Sequence, residues 1–252
     1  MKIIQILILA MCSYLVACIT TQEGGLPQPA PVAERLKAQL DLARGYLAKQ
    51  DYARARSPLD SALRLDSTSA SVHMLYAALY SGEEEYGLAE SHFKKALRYG
   101  SKDPRVLNNY GSFLFARSRF QEAENQLKKA AANANYENRA QSFENLGLVQ
   151  LRLEDLTSAQ ASFERSVALN PFQPRSHLEL TDLLVSKGEM ESARSHFDSY
   201  RTQARQNARS LCLGYQLSDH FLDRDQSASY ALALKKLFPD SAEASECKSR
   251  AL

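Results

Sequence analysis

FENLGLVQLRLEDLTSAQASFERSVALNP, residues 143–171, holds two apolar-periodic runs separated by a polar turn at Glu154-Asp155. Three positions decide its reading. Ala159 lies in the second run, the small Gly147 stands twelve residues before it, and the bulky Phe163 four residues after it. Antiparallel helices approach to roughly 8–10 Å where a small side chain sits at the crossing and large ones fill the grooves beside it. The stretch therefore predicts a helical hairpin. Asn170-Pro171 marks its far boundary, as Asp103-Pro104 marks an earlier one, because proline can open a helix but disrupts one from inside.

Outward from this stretch the same signature recurs. Asp51-Tyr52-x-x-Ala55, Glu85-Tyr86-x-x-Ala89, Arg119-Phe120-x-x-Ala123, Asp155-Leu156-x-x-Ala159 and Glu189-Met190-x-x-Ala193 align on alanines spaced by 34, 34, 36 and 34 residues. A weaker sixth copy, Arg224-Asp225-x-x-Ala228, follows 35 residues later. The bulky partners are Leu59, Phe93, Leu127, Phe163 and Phe197; the small ones are Ala43, Ala77, Gly111 and Gly147, with Thr181 the exception. This pattern resembles the tetratricopeptide repeat. It implies an all-α fold, a right-handed superhelical solenoid of six tetratricopeptide (TPR) helix-turn-helix units at 36–69, 70–103, 104–137, 140–173, 174–207 and 208–241, with residues 242–252 a tail that extends or caps the last helix. An irregular bundle of twelve helices would not impose such a period.

The amino terminus has different chemistry. Residues 3–17 form an apolar run behind Lys2, too short to span a bilayer, and read as a signal peptide over 1–17. Leu15, Val16, Ala17 and Cys18 resemble a bacterial lipobox, which implies lipidation of Cys18; Ile19 after it implies outer-membrane sorting. The competing reading, a buried amino-terminal helix containing Cys18, lacks the polar face such a helix needs. Residues 18–35 then form a tether, with Pro27, Pro29 and Pro31 favouring an extended path. A Pro-rich ligand for a recognition module is the alternative reading of this segment.

The full chain has the composition of a globular protein, 44% hydrophobic and 24% charged, with a formal net charge of +2 that falls to +1 without Lys2 of the signal. No dense Lys/Arg run points to nucleic acid. With Cys12 in the signal and Cys18 lipidated, Cys212 and Cys247 are left either as a disulfide or as two free buried thiols. His73 and His177 share one repeat position and His92 and His196 another, three repeats apart, so these equivalents cannot converge on one ion and read as side chains filling a repeated slot or exposed beside it. With no nucleophile elbow, zinc-protease motif or phosphate loop, the chain reads as a non-enzyme with no catalytic residues, cofactor, metal or small-molecule substrate.

Solenoids of this kind bind partners on the surface lined by the first helix of each repeat. In the third and fourth repeats that surface is expected to include Arg105, Asn108, Asn109, Ser112, Gln141, Asn145, Leu148 and Arg152. Asn109 and Asn145 share a position where an amide can meet the backbone of an extended ligand, although asparagine is common there in such repeats. Leu40, Tyr46 and Leu47 read as an apolar groove in the first repeat, or as a seat for part of the tether.

Three stretches carry a closer resemblance: VLNNYGSFLFARSRFQEAENQL (106–127), residues 143–171 above, and NARSLCLGYQLSDHFLDRDQSASYALALKKLFPDS (207–241). They resemble the type IV pilus biogenesis lipoproteins of the PilF/PilW family, the TPR pilotins, from lipobox to sixth repeat. Cys212 and Cys247 fall outside the family pattern. The resemblance implies an outer-membrane, periplasm-facing lipoprotein, held to outer-membrane lipid through acylated Cys18, that binds type IV pilus secretin subunits and promotes their localisation and multimerisation. A TPR scaffold lipoprotein of another envelope machine, for outer-membrane protein insertion or peptidoglycan synthesis, is the alternative.

Overall fold

The computed structural model describes residues 30–250; the signal segment 1–17, Cys18 and the tether as far as residue 29 lie outside the described residues. Twelve helices form six hairpins: α1 (Val32–Ala48) with α2 (Tyr52–Leu65), α3 (Ala70–Gly82) with α4 (Tyr86–Tyr99), α5 (Pro104–Ala116) with α6 (Phe120–Ala132), α7 (Arg139–Arg152) with α8 (Leu156–Leu169), α9 (Pro174–Lys187) with α10 (Met190–Gln203), and α11 (Ala208–His220) with α12 (Arg224–Leu237). A short α13 (Ala242–Arg250) follows. The chain is an all-α TPR solenoid, as the period predicts.

Each hairpin closes on the small residue the sequence nominates. Ala43, Ala77 and Thr181 are fully buried on the first helices, facing Ala55, Ala89, Ala123, Ala159 and Ala193, which are equally buried on the second. A Cβ on Gly111 would stand 2.6 Å from Leu127, and one on Gly147 would stand 2.7 Å from the Phe163 ring. Those glycines admit the large partner that fills the core.

The turn inside every repeat has one geometry. Gln50, Glu84, Ser118, Glu154, Gly188 and Leu222 all have positive φ, between 57° and 76°. The residue after each donates its N–H five residues back: Asp51 to Tyr46, Glu85 to Tyr80, Arg119 to Leu114, Asp155 to Gln150, Glu189 to Leu184, and Asp223 to Ser218, at 2.8–3.0 Å. This is a Schellman closure of the first helix. The same residue is also the N-cap of the second helix, and the Asp51, Asp155 and Asp223 side chains accept from Arg54, Ser158 and Gln226 N–H. One residue thus ends one helix and begins the next, leaving the turn no length to vary. The 36-residue interval comes from the connection between repeats: residues 133–138 separate α6 from α7, whereas four residues separate the other hairpins.

Several expectations are corrected. The tether does not run to residue 35: α1 begins at Val32 behind Pro31, whose ψ of 145° keeps it extended, with Glu34 in the first turn. The sixth copy is displaced by one residue. Asp223 is the cap and buried Ser227, rather than exposed Ala228, is the small residue, which restores the spacing of 34 from Ala193. Pro171 opens no helix; Pro174 opens α9 as Pro104 opens α5. Pro58 sits inside α2 and is buried, so the helix lacks the backbone hydrogen bond that residue 58 would otherwise donate to Arg54. The tail forms a separate helix that folds back on α11, where Cys212 and Cys247 are bonded with Cα atoms 5.8 Å apart. Leu211, Cys212, Leu234, Ala244 and Cys247 make one cluster there, closing an end that stacking leaves open.

Two substitutions test the hairpin. Leu222 is 83% exposed, so its side chain contributes little while its backbone is strained. Leu222→Gly is expected to stabilise by up to about 1 kcal/mol, the relief of a left-handed conformation less the entropy of glycine. Gly147→Ala is expected to destabilise by about 1–3 kcal/mol through overpacking against Phe163. Urea unfolding of both variants checks the pair.

Candidate protein-binding surface

The first helices α3, α5, α7, α9 and α11 line one face of the solenoid, which carries two grooves of opposite character. The first, of about 570 Å³, lies chiefly between α3 and α5. Its walls are largely apolar, with Met74, Leu75, Phe93 and Phe113 inside and the exposed Ala78 and Ala116 at the mouth. Asn109 donates to the Met74 sulfur at 3.0 Å, and the Arg117 guanidinium lies 3.9 Å from the centre of the Tyr86 ring, closing one side.

The second groove, of about 540 Å³, follows α9 between α7 and α11. Phe115, Leu148, Leu151 and Leu183 give it an apolar floor, and five charged side chains ring it. Arg209 binds Glu179 bidentately, at 2.9 and 2.7 Å, and donates its Nε–H to Asp182 at 3.0 Å. That fork ties α11 to α9. Such bidentate pairs fix geometry as well as charge.

The structure sorts the residues expected to touch a partner. Leu40 is 7% exposed and buried in the core shared by the first two repeats, where α3 stacks on α1, and Tyr46 and Leu47 are half-buried and pack against that core. The apolar groove lies one repeat further on. Asn108 is buried, its Oδ1 accepting from Ser142 Oγ at 3.0 Å and from Asn145 Nδ2 at 3.2 Å. Asn145 also donates to Ser112 and accepts from Gln141. Both asparagines therefore stitch α5 to α7. Arg105 is held by Asp103 at 2.7 Å, Asn109 lines the first groove, and Arg152 the second.

Comparison with known proteins places the chain. Models of the tetratricopeptide repeat match residues 103–171 and 145–208. The type IV pilus assembly protein PilF of Pseudomonas aeruginosa (strain PAO1) is 38% identical over 233 residues, 92% of each chain. This chain belongs to the PilF family. Among solved structures, one from a functional characterisation of Pseudomonas aeruginosa PilF superposes with a TM-score of 0.84 at 41% identity, covering 87% of this chain and 99% of that one. PilW, described as a widely conserved type IV pilus biogenesis factor, superposes at 0.70 with 25% identity over 84% of this chain and 97% of that one.

This PilF-family chain carries one feature that comparing equivalent positions misses. The histidines meet within repeats rather than between them. His73 Nδ1 lies 3.2 Å from His92 Nδ1, and His177 Nδ1 lies 3.1 Å from His196 Nδ1. In each pair the first ring's Nε2 faces a loop carbonyl, Ser67 at 3.1 Å or Pro171 at 3.0 Å. A carbonyl only accepts, so that Nε2 carries the proton and the ring's Nδ1 accepts from its partner's Nδ1–H. The nineteen-residue spacing, present twice, was the signal. Burial, then the neighbouring His73 and Lys95, pushes His92 down to about 4; burial also lowers His73, His177 and His196. Among the described residues no group of three or more His, Cys, Asp or Glu side chains could hold a metal ion.

The pairs make stability depend on pH with a defined sign. A histidine whose folded pKa is depressed binds its proton more readily when unfolded, so stability is intact above about 6.5 and is lost as pH falls from there toward about 4. The melting temperature is expected to fall over that window, and less so in a His92→Gln/His196→Gln variant; calorimetry from pH 7.5 to 4 measures both slopes.

Proposed function

We propose that the chain is a type IV pilus pilotin: an outer-membrane lipoprotein, anchored through acyl chains on Cys18, that captures secretin subunits and promotes their multimerisation. The observation that carries the reading is kinship to a type IV pilus assembly protein over nearly the whole chain, joined to an open apolar groove on the face that solenoids use for partners. The lipobox-like LVAC lies outside the described residues, and no described helix is long and apolar enough to cross a membrane, so lipid on Cys18 supplies the attachment in this account. Several acyl chains on one cysteine anchor stably at about 0.8 kcal/mol per buried methylene.

The mechanism needs no covalent step. The groove around Met74 shields an apolar surface of the unassembled secretin subunit, and the anchor gathers loaded subunits on one membrane, raising their effective concentration for ring formation. Phe93 and Phe113 of the groove wall pack with Tyr110, ring centres 5.1–6.2 Å apart, and side chains held by packing lose less entropy on binding.

Fractionation of outer-membrane secretin multimers tests this reading in wild type, a deletion and a Cys18→Ala form. Loss of multimers in the deletion and mislocalised or unassembled secretin in Cys18→Ala are expected; normal multimers in all three contradict it. A further variant, Ala78→Arg/Ala116→Arg, fills the groove from two exposed positions without disturbing the core. It is expected to keep its circular dichroism spectrum and lose secretin multimers.

A further inference from the structure

The second groove is built for a different partner chemistry. Three guanidinium groups, of Arg152, Arg175 and Arg209, face two carboxylates, of Glu179 and Asp182. Both carboxylates are already engaged by Arg209. Arg152 and Arg175 are exposed and have no ion-pair partner among the described residues. The three guanidinium groups outnumber the two carboxylates by one, and the two unpaired cations are Arg152 and Arg175.

Its shape narrows the occupant. The lining residues of α9 run from Arg175 to Ser186 along one helical face, a length of about 16 Å at 1.5 Å per residue. Arg175 lies in the first turn of α9, and Arg152 ends α7, the neighbouring first helix that runs in the same direction. The two free cations thus stand toward opposite ends of the groove, with Leu148, Leu151 and Leu183 between them. An extended chain rises roughly 3.3 Å per residue, so about five residues span that length. The Arg209 fork fixes the α9–α11 wall before any ligand arrives.

We propose that this groove binds an extended segment of a protein partner that has an apolar centre and carboxylate side chains about five residues apart, one for Arg175 and one for Arg152. The proposal rests on the protein-binding reading of this face and not on which protein is bound. Peptide binding can therefore fail while secretin fractionation succeeds, and the reverse.

The test is fluorescence anisotropy with the full chain and a fluorescein-labelled peptide, Gly-Asp-Leu-Ala-Val-Leu-Asp-Gly, against the same peptide with both aspartates replaced by asparagine. Saturable binding of the acidic peptide is expected, at least tenfold tighter than the amide peptide and weakened by raising salt from 50 to 500 mM. Arg152→Gln/Arg175→Gln is expected to weaken it at least tenfold, with the fold intact because both side chains are exposed. Ala78→Arg/Ala116→Arg, in the first groove, is expected to leave it unchanged. Absence of binding, equal affinity for the two peptides, or an arginine variant that binds as tightly as wild type would overturn the proposal. So would arginine-dependent binding of phosphatidylglycerol vesicles by a chain that takes up no peptide, which would assign the groove to a lipid headgroup.

Discussion

The close approach of two helices at one small residue, locked by a left-handed residue at the turn, is the constraint from which the rest of this molecule follows. Gly147 admits the Phe163 ring, and Gly111 admits Leu127; with a Cβ at either place the partner side chain would have to shift. The left-handed turn fixes the angle at which the second helix leaves, and Asp155 or its counterpart serves both helices at once. Local geometry is therefore nearly identical in every repeat, and repetition of one geometry is what generates a solenoid. Five of the six turn residues are not glycine, so strain of about 1 kcal/mol or more per repeat is accepted in return for that uniformity.

Uniform hairpins leave specificity to the side chains that project from them. Between repeats the second helix of one unit reaches the turn of the next: Arg56 to Glu83, Glu90 to Arg119, and Gln160 to Lys187. The Arg119 guanidinium, with Lys94, keeps the Glu90 carboxyl down at about 2. On the opposite face the Asn108–Asn145–Ser142 network and the Arg209 fork join first helices across repeats. The grooves are what remains between these ties. Their chemistry differs: Met74, Leu75 and Phe113 line the amino-terminal groove, whereas Arg152, Glu179 and Arg209 line the carboxy-terminal one.

The fold was legible in the sequence because its determinants are local and repeated. Alanine spacing located five hairpins, and the two-residue excess between Ala123 and Ala159, assigned to 138–139 by the unit boundaries, lies in the connection 133–138. The sixth repeat was misaligned by one residue because serine replaces the small apolar residue at 227. The binding surface was less legible. Exposure depends on what the next repeat covers, which no single repeat encodes: Leu40 looked like groove lining and is buried by α3, and Asn108 looked like a ligand contact and is consumed by Ser142 and Asn145. The histidine pairs went unseen because like positions were compared across repeats, whereas the contacts form within them.

The central claim is that the face lined by first helices, and not the outer face, receives the partner. Hydrogen–deuterium exchange of the full chain, alone and with the periplasmic part of the pilus secretin, tests it most directly. The account predicts slowed exchange in α3 and α5, around Met74 and Asn109, with the second helices unchanged. Protection confined to α4, α6, α8 and α10 would contradict it.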